Sequence, residues 1–165
     1  MSETPLQKAI IFLLRIFIGW VFLYAGVRQV LSPAWTAMEF LGGAKTFPGF
    51  YALFTSPAVL PVVNFLVKWG HTLIGLSLVL GIGVRISSSF AAALTILYYL
   101  PRLDFPFVGS VSNYIVEYHL VYALVLVYLG SVHAGRCFGL ENWFASLPPI
   151  ARLIDREPRI RALLG

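Results

Sequence analysis

The chain has 165 residues, of which 59% are hydrophobic and 12% are charged. Soluble domains usually carry about 25% charged residues, so this composition excludes an ordinary soluble domain and indicates a single integral membrane domain over residues 1–165. The net charge of +5 does not indicate a nucleic-acid partner, because the basic residues flank apolar stretches and form no single patch.

Four apolar stretches are candidate membrane spans, and a helix needs about 20 residues to cross a bilayer. The third is short, so we expect it to extend at either end. The first is too long for the apolar part of a signal peptide and lacks a clear cleavage site, so it should stay in the membrane. Short connections predict an all-α, antiparallel four-transmembrane-helix bundle. The predicted spans are residues 6–31, 62–84, 86–100 and 113–132.

An aromatic segment separates the first two spans. Ser32 and Pro33 suit the start of a short helix over residues 34–41, which should stop at Gly42 and Gly43. The stretch up to residue 61 is too rich in aromatic residues for a disordered loop. We therefore predict a cap that lies on the mouth of the bundle, although a plain aromatic belt without a role in any site has the same composition.

The connection over residues 102–112 contains proline and glycine and is predicted to be a turn-rich loop. The tail over residues 134–165 is rich in arginine, and Ile150, Leu153 and Ile154 recur beside these arginines at helical spacing. Such a pattern predicts an amphipathic helix on the membrane surface, and a helix that docks on a partner subunit is the alternative.

The basic residues set the expected orientation. With four spans, both termini share a side with the connection between spans two and three, and that side carries most of the Lys and Arg. Cytoplasmic flanks carry this excess, so both termini should be cytoplasmic and the cap should face the periplasm or cell exterior. The expected location is the inner, cytoplasmic membrane. The basic residues on the cytoplasmic side are Lys8, Arg85, Arg136, Arg152, Arg156, Arg159 and Arg161.

Ionisable residues inside the spans cluster toward the cap side of the predicted bundle. Because such residues are costly in hydrocarbon, they are functional-site candidates by default. We predict that Glu117 and His119 are catalytic and manage protons, although Glu117 could instead clip two helices together through Arg28 or Lys68. The predicted substrate- or quinone-binding residues are Arg28, Lys68, His71 and Asn113.

Each histidine could instead be a satisfied packing residue, and two histidines on different spans could also hold a haem. The chain shows no covalent cofactor motif, and its one cysteine, Cys137, supports neither a disulfide nor a cysteine-based metal site. We interpret Cys137 as an ordinary thiol. Arg15 lies near the middle of the first span, where it needs a partner: a backbone carbonyl, a lipid phosphate or Glu117.

Three stretches resemble the DoxX/DoxD family. They are the opening Arg15–Gly26, the glycine-rich Gly70–Arg85 and the closing Ala134–Trp143. The stretch Asn113–His119 resembles the fourth helix of the DoxD branch. The resemblance implies four membrane helices and the membrane subunit of a thiosulfate:quinone oxidoreductase, which passes electrons from thiosulfate to quinone and works with a second subunit, DoxA.

The resulting functional prediction is a quinone-linked electron-transport subunit with its quinone or anion site in the outer half of the bundle. Quinone would be a substrate, and the chemistry would need quinone, a partner or a prosthetic group. The first rival is a non-catalytic subunit of a larger membrane complex, in which the polar cluster only clips helices. The second is a small-solute carrier, which the lack of an inverted repeat disfavours.

Overall fold

The computed structural model describes residues 4–156 and shows a mostly helical chain in that range. One single-turn 3-10 helix, Leu53–Thr55, follows α3, and another, Ala134–Arg136, follows α6. The helices are α1 (Pro5–Val30), α2 (Met38–Gly42), α3 (Pro48–Ala52), α4 (Leu60–Leu80), α5 (Val84–Arg102), α6 (Tyr118–Ser131), α7 (Glu141–Ser146) and α8 (Pro148–Arg156).

The beginning of α1 is specified by local sequence. The side chain of Thr4 accepts a hydrogen bond from the backbone N–H of Gln7, and Gln7 returns one to the backbone N–H of Thr4. This reciprocal capping box satisfies two donors that a helix start leaves unpaired, and Pro5 fits the first turn because its missing N–H is not needed there. The helix ends at Val30, within one residue of the prediction.

Glycines bring α1 and α4 together in antiparallel directions. Gly19 faces Leu78, and Gly26 faces Thr72, so contacts that ascend along α1 descend along α4. A Cβ atom added to Gly75 would lie 2.5 Å from the Cα of Leu23. The two backbones therefore approach as closely as helices in membranes do when small residues line the contact.

Replacing Gly75 with alanine is expected to destabilise the fold by about 1–3 kcal/mol, because the added methyl must push α1 and α4 apart. Gly70→Ala is the matched control: a Cβ at Gly70 meets nothing within 4 Å, so this variant should gain up to about 1 kcal/mol of helix propensity. Unfolding free energies in detergent measure both. Equal effects of the two substitutions would contradict the close contact.

The turn from α4 to α5 is tight because two glycines adopt left-handed backbone angles. Gly81 has φ +70° and Gly83 has φ +62°, which residues with a side chain rarely adopt. Helix α4 ends before them at Leu80, and α5 begins after them at Val84. The third predicted span thus extends at both ends, as expected. Helix α5 packs mainly against α6, where Gly130 approaches the side chain of Ser88.

The aromatic segment folds over one end of the bundle, and we call residues 35–55 the cap. Helix α2 begins at Met38, four residues later than predicted. Pro101 lies inside α5 and has no N–H, so the carbonyl of Leu97 loses its helical partner. The hydroxyl of Tyr51 donates to that carbonyl at 3.0 Å. The backbone N–H of Lys45 also donates to the Pro101 carbonyl at 2.8 Å, so the cap is tied to α5.

The predicted start of the fourth span is wrong. Ser110–Tyr114 forms an antiparallel strand with Phe107–Val108, which pairs in turn with Leu103–Asp104. Helix α6 begins only at Tyr118. The predicted loop over residues 102–112 is therefore a small three-stranded sheet, which is the one departure from the all-α prediction among the described residues.

Helices α1 and α4 are long and apolar enough to cross a membrane. Helix α6 is apolar but has 14 residues, and α5 has arginines at both ends and three consecutive serines. Large apolar side chains such as Phe17, Leu73 and Leu124 are exposed on the outer faces of the helices, as expected for surfaces that contact lipid.

The tail contains two short helices, α7 and α8. The prediction of an amphipathic helix agrees with the strongly one-sided α8, whereas Arg159 and Arg161 lie outside the described residues. Placement of this helix on a membrane surface stays a prediction.

Candidate functional site

A cavity of about 190 Å³ lies between the four long helices, toward the cap end of the bundle. We call it the histidine cavity, because His71 of α4 and His119 of α6 both line it. Tyr98 of α5 contacts both imidazoles, with ring centroids 5.5 Å from His71 and 6.1 Å from His119. A haem bound between the two histidines would have to displace this phenol ring. The other residues that line the histidine cavity are Val21, Phe22, Ala25, Thr95, Tyr118 and Tyr122.

His119 is held by a buried carboxylate. The Nδ1 atom of its ring lies 2.5 Å from Oε2 of Glu117, whose side chain is almost fully buried. The other carboxylate oxygen, Oε1, lies 3.3 Å from Nε of Arg102. Because Nδ1 is engaged with a carboxylate, Nε2 is the ring nitrogen left to exchange a proton with a ligand in the cavity.

Local backbone structure places Glu117 beside His119. Glu117 is the N-cap of α6, and its carboxylate also accepts the backbone N–H of His119 at 3.3 Å. The residue two positions earlier, Ile115, has its carbonyl bound by the hydroxyl of Tyr99 at 2.7 Å. Glu117 precedes the helix, and its side chain folds back over the first turn toward His119.

His71 is fixed in one tautomer. Its Nδ1 atom lies 2.8 Å from the backbone carbonyl of Val67. A carbonyl only accepts hydrogen bonds, so Nδ1 must carry the proton and the neutral ring keeps Nε2 as an acceptor. The ring is also packed against Phe22 at 5.6 Å. The two histidines thus reach the same cavity from different helices.

The other predicted site residues do not line the cavity. Arg28 is exposed at the end of α1. The ammonium of Lys68 lies 5.5 Å from the ring centre of Trp35, in the cap. The side chain of Asn113 donates to the Val108 carbonyl within the sheet. The prediction that Arg28 or Lys68 pairs with Glu117 is wrong, since Arg102 takes that position.

The sequence profile of one known family matches this chain over residues 10–100, which is more than half of its length. That family is DoxX. The chain belongs to the DoxX family. Searches of curated proteins and of solved structures returned no match. The family assignment and the two long apolar helices make this a membrane protein.

This DoxX protein has a second buried polar cluster, at the end of the bundle away from the cap. Arg15 of α1 is fully buried there. Its guanidinium donates to the carbonyls of Ala134 at 3.0 Å and Phe138 at 3.2 Å. Of the three partners that the sequence leaves open for Arg15, the structure therefore selects backbone carbonyls. Glycine is required beside it: a Cβ at Gly81 or Gly139 would collide with its Nη1 atom.

Glu141 belongs to the same cluster and was not among the predicted site residues. It is 3% exposed, and Oε1 lies 3.9 Å from Nε of Arg136. Burial raises the pKa of the Glu141 carboxyl to about 7, although Arg136, the backbone N–H of Val84 and Arg15 partly oppose that rise. The nearby cations stabilise the ionised form too weakly to offset the loss of water.

The raised pKa of Glu141 has a consequence for stability. Between about pH 4.5, the ordinary value, and pH 7, the folded state holds a proton that the unfolded chain has released. Stability therefore falls as the pH rises through this window and levels off above it. A sequence signal for this residue exists: Arg15 needs an acid or carbonyl at its own end of the bundle, and Glu141 is the first acid that follows α6 there.

Proposed function

We propose that this DoxX protein is the membrane subunit of a quinone-linked oxidoreductase of the thiosulfate:quinone oxidoreductase (DoxD) type. The observation that carries the proposal is the buried Glu117–His119 pair, which presents an imidazole to a cavity shared with His71 and Tyr98. Carbonyl oxygens of a quinone are acceptors, and a protonated imidazole and a phenol can both donate to them.

Quinone reduction consumes two electrons and two protons. Two thiosulfate ions that join through a new S–S bond release two electrons and no protons, so both protons must reach the quinone by another route. In the proposed mechanism His119 donates the two protons in turn from Nε2 and takes up a proton from water between the two transfers, and Glu117 stabilises the imidazolium before each transfer. The Nε2 atom of neutral His71 is an acceptor, so it can bind a hydroxyl of the quinol product.

A second pocket, of about 220 Å³, supports an anionic electron donor. It lies at the cap end and is lined by Lys45 and Arg102, together with Asp104. Arg102 also lies against Glu117, so one guanidinium connects this pocket with the carboxylate that holds His119. Arg28 and Lys68 are the predicted substrate-binding cations, and we propose Lys45 and Arg102 for that role in their place.

The proposal includes the topology. We infer that α5 and α6 cross the membrane with α1 and α4, that both termini are cytoplasmic and that the cap faces outward. The excess of Lys and Arg at the end opposite the cap supports this orientation. Electrons would enter through a partner subunit similar to DoxA or directly from the donor, in the cytoplasmic membrane of the cell.

Quinone binding to the purified protein in lipid nanodiscs tests the proposal. Exchanging His119 for asparagine should weaken quinone binding about tenfold, the cost of one hydrogen bond to an ionisable partner. His133→Asn is the matched control, because His133 lies beyond α6, away from the cavity. An unchanged affinity in both variants, with fixed partner proteins co-purifying, would instead favour a structural subunit of a larger complex.

A further inference from the structure

An apolar cavity of about 250 Å³ lies directly beneath the cap. Cap residues such as Phe40 and Phe50 cover it, and side chains of α4 and α5 line its floor. The hydroxyl of Tyr51, one of its two tyrosines, is already bound to the Leu97 carbonyl. The cavity therefore offers a ligand almost only apolar contacts.

A groove of about 640 Å³ between α4 and α5 lies next to this cap cavity. Leu66, Leu94 and Leu97 line both spaces, so the two spaces adjoin and together make up an apolar path. Lining residues along α5 extend from Ile86 to Tyr98, which is about 18 Å at the helical rise of 1.5 Å per residue. A helix about 10 Å wide cannot enter beneath the cap, whereas a hydrocarbon chain can.

Tyr98 lies between this apolar path and the histidine cavity, because it lines both. Its ring contacts His71 on the polar side and Phe40 of the cap, with centroids 5.3 Å apart, on the apolar side. A molecule that extends past Tyr98 would thus have polar partners at one end and a long apolar space at the other. Such a pair of environments suits an amphipathic ligand with one head and one chain.

We propose that the path beneath the cap and along the α4–α5 groove binds the isoprenoid tail of the quinone whose head occupies the histidine cavity. This inference rests on the proposed function and adds the class of substrate: a quinone with a long tail, not a small soluble quinone. Tyr98 is the specificity-determining residue at which head and tail meet.

A tail-length series tests the inference, with a benzoquinone head alone, the same head with a decyl chain, and the same head with a long isoprenoid chain. Affinities are measured in nanodiscs and calculated from the concentration of each quinone in the membrane. Because lipid already solvates the tail, the gain must come from packing, and we expect the tailed forms to bind about tenfold more tightly than the head alone.

Leu97→Trp fills the junction of cavity and groove and should remove this advantage without weakening the head alone. Leu124→Trp is the matched control, because Leu124 is 72% exposed on α6 and lines neither space. As a measurement on the unaltered protein, a quinone with a diazirine in mid-chain should label peptides of α5 or the cap.

Labelling of α1 or α6 alone, or equal affinity of head and tailed forms, would overturn the tail site and leave the proposed function intact. If none of the three quinones binds, the proposed function fails and the tail site fails with it.

Discussion

Replacing Glu117 with glutamine is expected to lower the rate of quinone turnover by a factor of about 10²–10⁴, the usual contribution of a positioned acid–base group. Glutamine can still accept at the start of α6 and from Nδ1 of His119, but a neutral amide does not stabilise an imidazolium. Because Glu117 does not line the cavity, it acts through His119 and is a positioning residue.

The pattern of kinetic effects separates this role from a structural one. The loss should fall on kcat with little change in KM. Glu39→Gln, an exposed acid in the cap, removes the same charge and should leave both parameters unchanged. Equal losses in the two variants, or a change confined to KM, would argue against proton management by this pair.

The long helices could be predicted from the sequence because apolar stretches of bilayer length have few other structures. The error at residues 113–117 came from treating Tyr114, Ile115 and Val116 as part of an apolar span. These side chains are equally suited to an extended strand, and β-branched and aromatic residues favour one. Pairing with Phe107–Val108 stabilises the strand in place of a helix, and hydropathy contains no information on that pairing.

For the site, the sequence indicated which ionisable residues to examine but gave little information on the directions of their side chains. His71, Glu117 and His119 stood out because ionisable groups are costly in hydrocarbon, and the structure brings all three together. Lys68 and Arg28 lie near the same end but on other faces, because helices that are apolar all round give little indication of which face is buried.

Tyr98 and Arg102 were not predicted as site residues, for different reasons. A tyrosine in an apolar helix has the pattern of an ordinary packing residue. The position of Tyr98 between two cavities, with its ring stacked on His71, is visible only in the folded chain. Arg102 was assigned to a loop between spans. It lies in the last turn of α5, which directs its guanidinium to Glu117.

The Arg15 cluster depends on contacts between residues more than a hundred positions apart. Arg15 donates to carbonyls of residues 134 and 138, and the glycines that make room for it come from α4's end and from the tail. The glycine-rich tail motif was visible in the sequence, but its role as a cradle for a guanidinium is a property of the packed chain.

Substituting Arg15 with methionine is expected to destabilise the protein by about 3–5 kcal/mol, the usual cost of removing one partner from a buried charged network. Two carbonyls lose their donor, and Glu141 loses a nearby cation, so the pKa of its carboxyl should rise further. Arg28→Met is the matched control on the same helix: Arg28 is exposed, and its loss should change stability by less than about 0.5 kcal/mol.

The pH dependence of this stability loss tests whether part of it comes from the Glu141 carboxyl, which is left without a nearby cation. At pH 5 the buried carboxyl is already protonated and needs no cation, whereas at pH 8 its ionised form lacks Arg15, so the loss should be larger at pH 8. Adding Glu141→Gln to Arg15→Met should recover much of the difference between the two pH values, since a neutral amide needs no counter-charge. The cycle is measured as unfolding free energies in detergent for the unaltered protein, Arg15→Met, Glu141→Gln and the double variant. If the Arg15→Met loss is identical at pH 5 and pH 8, the guanidinium stabilises the fold only through its hydrogen bonds to the carbonyls.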